Sequence, residues 1–138
     1  MRKGFTEIEH LIIQSDANEL VKVERLIDKV CADLEVDEDR FGNVLIAVTE
    51  AVNNAIFHGN LSRKDLVVDV FVADSQNEFC FGVDDKGVGF DHVNLPDPTL
   101  EENLEKEYGR GVFLMRNLAD EVEFSDSGSR VEMYFSKS

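Results

Sequence analysis

The segment TEAVNNAIFHG, residues 49–59, places a carboxylate and an amide four residues apart on a strongly periodic helix. With about 100° of rotation per residue, Glu50 and Asn54 lie within roughly 40° of each other around the helix axis. A carboxylate is able to act as a general base, and an amide oxygen is a hard ligand suited to Mg²⁺. A solvated polar face is the alternative interpretation of this pair. The apolar residues of the helix lie on the opposite side and predict its core-facing stripe: Phe41, Val44, Val48, Val52 and Ala55.

A glycine-containing motif follows a predicted strand further along the chain. Over residues 79–84 the apolar side chains Phe, Phe and Val alternate with Cys, Gly and Asp, which is the period-two pattern of a half-buried strand. The strand leads directly into DKGVG, where Gly87 and Gly89 permit unusual backbone angles and the close approach of a ligand. Asp85 offers an acceptor for a ring amino group. Many segments of this composition are ordinary turns, so the motif alone does not identify a nucleotide site.

A third motif, YGRGVFLM at residues 108–115, is predicted to open another helix. The order and spacing of the three motifs resemble the Bergerat-fold (GHKL) ATP-binding domain shared by gyrase, histidine kinases and MutL. Within that superfamily the chain is most similar to the small anti-sigma factor serine/threonine kinases of bacterial partner-switching systems. The resemblance covers essentially all of residues 1–138 and implies a single histidine-kinase-like ATPase domain that binds ATP and Mg²⁺.

The resemblance assigns roles to residues of the first two motifs. It implies that Glu50 is the catalytic base and that Asn54 is the Mg²⁺ ligand that bridges the metal to the phosphates. It also implies that Asp85 receives the adenine amino group, while Gly87 and Gly89 let the backbone fold closely around the base. A turn-capping carboxylate is the alternative for Asp85.

Five further residues are matched by the resemblance. Gly109 and Gly111 are expected where a lid meets a helix N-terminus, whose free backbone amides hold phosphate. Arg110 would contact the terminal phosphate as a charge clamp, with an exposed lid arginine as the alternative. His58 would line the phosphate end or else cap its helix. Ser129 stands where relatives usually have a threonine; the hydroxyl keeps a phosphate or base contact open, but the departure weakens this assignment.

Two polar residues lie next to the matched positions in the sequence, and neither is assigned a definite role in the site. Asn53 lies next to both residues of the helical pair, and it either supports them or is a solvated amide on the helix surface. Asp84 precedes Asp85 and therefore points to the other side of the strand, so no role in the site is carried onto it.

Composition narrows the classes of function. The chain has 138 residues, 43% hydrophobic content, ten Phe and no Trp, which suits one globular domain. A net charge of −15 and a pI near 4.4 argue against binding to nucleic acid or to an anionic membrane. No apolar run approaches the roughly 20 residues of a membrane span, and the N-terminus lacks a signal-peptide pattern. Cys31 and Cys80 lack zinc-site spacing and are predicted to be reduced core thiols of a cytoplasmic protein.

Local patterns predict an α+β two-layer sandwich, in which helices cover one face of a mixed, mostly antiparallel sheet. Asp16 and Glu19 form a predicted capping box for the first helix, and Gly59 is the predicted C-terminal cap of the second. A loop at residues 91–107, acidic and interrupted by both prolines, matches the mobile ATP lid of the family. The predicted strands are residues 5–13, 66–73, 78–84, 122–124 and 131–135, and the predicted helices are residues 16–34, 37–58 and 112–120.

The resemblance implies a protein kinase that phosphorylates a serine of a STAS-type antagonist protein and regulates a sigma factor. The presence of Glu50 favours this function over a non-kinase ATP-dependent protein-interaction switch, because a pure binder needs no base. A weak ATPase subunit of a signalling system remains a further alternative, since the same base would activate water. The family also suggests a homodimer.

Overall fold

An antiparallel sheet of five strands, with helices packed on one face, forms the architecture of the chain. The computed structural model describes residues 1–87, 102–125 and 128–138, apart from the side chains of residues 102–108. A 3₁₀ turn (Ala17–Glu19) precedes the first helix and a π turn (Ala55–Gly59) follows the second. The strands are β1 (Thr6–Gln14), β2 (Val67–Asp74), β3 (Glu78–Asp84), β4 (Glu121–Ser125) and β5 (Arg130–Ser136), and the helices are α1 (Leu20–Asp33), α2 (Glu38–Asn54) and α3 (Glu102–Leu118).

The strand order is β1-β2-β3-β5-β4, which places β3 at the centre of the sheet. Val83 of β3 lies opposite Val70 of β2 on one side and opposite Val131 of β5 on the other. All pairs between the described strands are antiparallel, so the α+β prediction is confirmed. The parallel pairing that a mixed sheet would need does not occur among these five strands.

The apolar stripe of α2 packs against the inward face of the sheet, as the helix periodicity predicts. Val44, Val48 and Val52 are fully buried there. Burial of each such side chain stabilises the fold by about 1.5–3 kcal/mol relative to exposure. The inward residues of the three central strands complete this core: Val68, Val70, Val72, Phe79, Phe81, Val83, Val131, Met133 and Phe135.

The outer face of β3 is also buried, which differs from the half-buried strand that the sequence pattern predicts. Cys80 and Gly82 point to this face and are both buried. The ring of Phe71 lies directly over Gly82, where an added Cβ would approach the ring to within 1.8 Å. The guanidinium of Arg130 lies 4.3 Å from the same ring centre. Cross-strand neighbours therefore shield positions that alternation alone marks as exposed, because local periodicity contains no information about what covers the second face.

Acidic side chains begin the first two helices. Asp16 accepts a hydrogen bond from the backbone N–H of Asn18 (3.0 Å), while Glu19 accepts one from the backbone N–H of Gln14 (3.3 Å) instead of closing the predicted reciprocal box on Asp16. The predicted capping box is therefore half formed, because a 3₁₀ turn that ends at Glu19 lies between Asp16 and α1. Asp37 caps α2 through the backbone N–H of Arg40 (2.8 Å).

The end of α2 differs from the prediction. Gly59 does not take the left-handed conformation of a C-terminal cap; the described glycines with positive φ are Gly4 and Gly128. Instead the backbone N–H of Asn60 donates to the carbonyl of Ala55 (2.8 Å), which closes a wide π turn over residues 55–59. Such turns hold one residue more than an α turn and occur frequently at functional sites.

Helix α3 begins earlier than predicted. The glycine pair of the third motif indicates a helix start near residue 112, yet α3 already runs from Glu102 and contains both Gly109 and Gly111. Each glycine costs about 1 kcal/mol in a helix interior, but α3 packs along α2 and that contact overrides the propensity. The predicted lid lies outside the described residues over 91–101, and the remainder, residues 102–107, is helical.

The two cysteines are buried and unpaired with each other, as predicted for reduced core thiols. Burial raises the pKa of Cys31 to about 11 and that of Cys80 to about 12, so both are protonated at neutral pH. Within the described residues no cluster of three or more His, Cys, Asp or Glu side chains is arranged to hold a metal ion. In the same part of the chain, none of the helices has both the length and the apolar character of a membrane span.

Candidate functional site

Two adjoining clefts meet at Asn54, the last residue of α2. The first is mainly apolar and includes Asp85 and Ser129; the second is polar and has a volume of about 310 Å³. The remaining walls of the apolar cleft are Ala51, Ala55, Gly59, Val83, Met115, Phe124, Gly128 and Val131. The polar cleft is lined by Glu50, Asn53, Asn54, Phe57, His58 and Arg110. An apolar slot beside a polar chamber matches the division of a nucleotide into base and phosphates.

Helix α2 and its π turn position most of the polar cleft. Glu50 and Asn54 both face it, as the predicted side of the helix requires, while Val48 and Val52 face the core with no exposed surface. Arg110 reaches the same cleft from α3. The structure therefore brings the expected carboxylate and amide together with the expected cation, although Glu50 and Arg110 are 60 residues apart in the sequence.

His58 lies within the π turn and is part of the site. It is 6% exposed and lines the polar cleft. His58 follows Asn54 by four residues, a spacing that places two side chains on about the same side of a helix. His58 therefore lines the site instead of capping the helix towards solvent.

Asp85 is held from several sides at the open end of β3. Its backbone N–H donates to the carbonyl of Ser129 (2.9 Å), and its Oδ1 accepts from the backbone N–H of Gly87 (3.0 Å). The carboxyl group lies directly against Gly59, where an added Cβ would approach it to within 2.3 Å. Gly87 in turn packs on the carbonyl of Gly59, at 1.8 Å from where its own Cβ would be. Both glycines are thus required by close approach.

The electrostatic environment of Asp85 is unfavourable for its charge. Burial, together with the charge of neighbouring Asp84, raises the pKa of this carboxyl to about 6 against the opposing effects of the Gly87 N–H and Lys86. A carboxylate with few protein donors around it is ready to accept from an external group such as a ring amine. Both interpretations of Asp85 are met in the structure, since Oδ1 caps the turn through the Gly87 N–H and the residue lines the apolar cleft.

Asp84 lies on the outer face of the sheet, as predicted. Its Oδ2 accepts from Nη1 of Arg130 at 2.6 Å, and Arg130 also pairs with Glu132 at 3.0 Å. This ion-pair network is separate from the two clefts.

The amide of Asn54 fits a magnesium-bound phosphate. Its buried Nδ2 has no hydrogen-bond partner among the described residues, and such orphaned groups are costly. A ligand that offers an acceptor oxygen to Nδ2 and a hard cation to Oδ1 would satisfy both ends of the amide. Gly111 of α3 makes room for this side chain, because a Cβ there would lie 2.9 Å from Nδ2.

The remaining predicted residues are three glycines and Ser129. Gly111 contacts the site from within α3 instead of from a helix N-terminus, so the predicted phosphate-binding amides are absent at that point. A Cβ on Gly109 would meet no described atom within 4 Å, and Gly109 is exposed. Gly89 lies outside the described residues. Ser129 lines the apolar cleft, where the described contact to Asp85 uses its backbone carbonyl.

Sequence reasoning missed several residues of the site. The apolar walls contributed by Met115 and Val131 come from separate elements and carry only the ordinary signature of core positions. Phe57 lines the polar cleft although 41% of its surface is exposed. Asn60 follows the first motif directly and is almost fully buried, yet nothing in a single sequence distinguishes it from a solvated asparagine at a helix end.

Comparison with known proteins agrees with this geometry. Residues 13–135 match the family described as "Histidine kinase-like ATPase domain". An anti-sigma F factor from Clostridium beijerinckii is 30% identical over 110 residues, covering 77% of this chain and 76% of that protein. An anti-sigma F factor from Halalkalibacterium halodurans is 34% identical over 95 residues, covering 67% of this chain and 64% of that protein.

A solved structure has the same fold. The structure of the RsbU and RsbW domains of a Mycobacterium tuberculosis protein superimposes with a TM-score of 0.55 at 14% identity, covering 93% of this chain and 30% of that one. The order of motifs, the clefts that meet at Asn54 and the match over residues 13–135 lead to one conclusion: the chain belongs to the histidine kinase-like ATPase domain family, whose name implies ATP binding, and resembles the anti-sigma factors within it.

Proposed function

We propose that this chain is an anti-sigma factor serine/threonine-protein kinase. It binds Mg-ATP across the two clefts, transfers the γ-phosphate to a serine of a STAS-type antagonist protein, and regulates a sigma factor through that partner. The observation that carries the proposal is the presence of Glu50 in the same cleft as Asn54 and Arg110, beside the cleft of Asp85. The names of the relatives, which are anti-sigma F factors, support the choice of partner class.

The apolar cleft is proposed to hold the adenine ring. Met115 and Val131 supply apolar surface for its faces, and Asp85 supplies the acceptor for its amino group. A hydrogen bond to a charged acceptor contributes about 1.5–3 kcal/mol. This contact would select adenine from among the purines because a 6-oxo group has no hydrogen to donate there.

The polar cleft is proposed to hold the phosphates and the metal. Asn54 lies where the two clefts join, so its amide would meet the metal-phosphate group, and Arg110 and His58 would face the terminal phosphate. Magnesium, when bound, neutralises charge on the phosphates. The chain is acidic overall, with a net charge of −15, so local cations are needed wherever phosphate approaches.

Glu50 is proposed to orient the acceptor hydroxyl and take its proton. The polar cleft is open enough for a serine side chain of a second protein to enter beside Glu50. Phosphoryl transfer depends mainly on positioning and charge neutralisation, and a general base adds about 10²–10⁴-fold. In the absence of a protein acceptor the same carboxylate would activate water, which accounts for a weak ATPase as the alternative activity.

A phosphotransfer assay tests this function. Protein carrying Glu50→Gln is incubated with ATP labelled in the γ-phosphate and a purified STAS-domain protein from the same organism. We expect the label on the STAS protein to appear about 10²–10⁴-fold more slowly than with wild type, while ATP affinity by calorimetry is retained. The matched control is Glu38→Gln, an exposed glutamate on the first turn of the same helix.

Three outcomes would contradict the proposal. Equal rates of phosphotransfer for wild type and Glu50→Gln would show that Glu50 is not the catalytic base. A wild-type protein that binds ATP but neither labels the STAS protein nor hydrolyses ATP would establish the interaction switch instead. Unfolding of the Glu50→Gln variant would identify Glu50 as a structural carboxylate.

A further inference from the structure

Asn60 is a buried amide that joins three separate parts of the chain. It is 1% exposed and follows the π turn directly. Its Oδ1 accepts from the backbone N–H of Lys86 at 2.8 Å. Its Nδ2 donates to Ser15 Oγ at 2.8 Å and to the carbonyl of Val67 at 3.0 Å. Because both ends of the amide are engaged, only one orientation of the side chain satisfies the site.

The bond to Lys86 fixes the backbone next to the proposed base-binding carboxylate. The N–H of Asp85 is held by the carbonyl of Ser129, and the N–H of the next residue is held by Asn60. Two consecutive peptide groups are thus anchored to different parts of the chain, one just before β5 and one just after the π turn. Because the peptide groups on both sides of its Cα are held, the side chain of Asp85 has little freedom to change direction.

The backbone of Asn60 contributes to the same arrangement. Its N–H closes the π turn on Ala55, and this turn presents the carbonyl of Gly59 to Gly87 and the Cα of Gly59 to the carboxyl group of Asp85. The side chain of Asn60 therefore holds the middle of residues 85–87, while its main chain closes the π turn that contacts the two ends.

We propose that Asn60 is a positioning residue that sets the carboxylate of Asp85 for a 6-amino purine, and so determines selectivity for adenine over 6-oxo purine nucleotides. The inference rests on the proposed ATP site. Adenine offers an N–H at position 6, whereas hypoxanthine offers an acceptor oxygen that a carboxylate opposes. Misplacing Asp85 by a fraction of an ångström weakens the first contact and relieves the second, so the ratio of the two affinities is the sensitive quantity.

The test compares the binding of ATP and inosine triphosphate, each with Mg²⁺, by calorimetry. For Asn60→Ala we expect ATP affinity to fall about tenfold and inosine triphosphate affinity to stay within about twofold of wild type, as for the loss of one oriented hydrogen bond. Asn60→Ser provides a smaller change that keeps a polar group in the pocket. It is expected to reduce the ratio in the same direction if the alanine variant does not fold.

The matched control is Ser15→Ala. Ser15 is 1% exposed, accepts from Asn60 and donates to the carbonyl of Leu66 at 2.6 Å, so its loss destabilises the fold without touching Lys86. We expect this variant to unfold at lower urea concentration but to keep the wild-type affinity ratio.

The possible results separate this inference from the function on which it rests. Equal loss of both affinities in Asn60→Ala, no loss of either, or a collapsed ratio in Ser15→Ala would each overturn the positioning role. A wild-type protein that does not distinguish the two nucleotides, or an Asp85→Asn variant that keeps the wild-type ratio, would overturn the proposed base site itself.

Discussion

Replacement of Asp85 by asparagine should stabilise the nucleotide-free protein at neutral pH. The pKa of this carboxyl is raised to about 6 from an ordinary value of 3.8, chiefly because the group is desolvated between the π turn and the end of β3. The folded chain therefore binds the proton more tightly than the unfolded chain. Below the unfolded pKa both states are protonated and Asp85 costs nothing. As the pH rises towards 6 the unfolded state ionises first, and above 6 the full cost is present.

The size of this cost follows from the shift. Each pKa unit corresponds to 1.36 kcal/mol, which gives about 3 kcal/mol as an upper limit. The carboxyl group is partly exposed in the open cleft, and solvent screening reduces that figure to about 1–2 kcal/mol. We therefore expect Asp85→Asn to raise the free energy of unfolding by about 1–2 kcal/mol at pH 7.5 and by close to zero at pH 4, while abolishing adenine selectivity.

Urea denaturation without nucleotide, at both pH values, measures this difference. The control is Asp69→Asn, which should have the opposite sign. Burial works to raise the pKa of Asp69, but hydrogen bonds from Lys86 and His10 outweigh it and hold the pKa below its usual range. Its stabilising effect is thus present at neutral pH and lost as the pH falls. A destabilised Asp85→Asn protein at pH 7.5, or an effect of equal size at both pH values, would refute desolvation as the cause.

Two glycine substitutions test the close approaches around the clefts. Gly59→Ala places a Cβ 2.3 Å from the carboxyl group of Asp85, so we expect at least about tenfold weaker ATP binding by calorimetry; unchanged affinity would mean that the carboxyl group is free to move aside. Gly111→Ala pushes on the amide of Asn54 at 2.9 Å, so the part of ATP affinity that depends on Mg²⁺ should fall, whereas Gly109→Ala should leave it unchanged and gain up to about 1 kcal/mol of helix stability. Loss of Mg²⁺ dependence in both variants would indicate a general effect of stiffening α3.

Much of the fold follows from local pattern. The stripe of α2 and the alternation of β3 each bury several apolar groups on one side. In a strand Phe41 and Ala55 would lie on the face opposite to Val48 and Val52, so the apolar pattern of this segment indicates a helix. The same periodicity orients Glu50 towards the polar cleft, because the polar side of an amphipathic helix is determined once the apolar side is known.

The remaining features depend on contacts between distant segments. Gly59 follows a helical pattern, as a helix cap does, but the space that a side chain would need there is occupied by the carboxyl group of Asp85, which lies after β3. The sequence predicts a helix start near Gly111, yet Gly111 is the point where α3 approaches the side chain of Asn54. In both cases the sequence indicates that glycine matters but not why, because the lack of a side chain serves tight turns and close packing alike.

The π turn at the end of α2 makes chain length as important as residue identity in this region. A five-residue turn that closes on Asn60 holds one residue more than an α-helix would need. Deletion of one residue would leave four residues before Asn60, enough for an ordinary α turn to close there. His58 and Gly59 would then no longer both keep their places beside the clefts, so homologues with a functional site should keep the length of this segment.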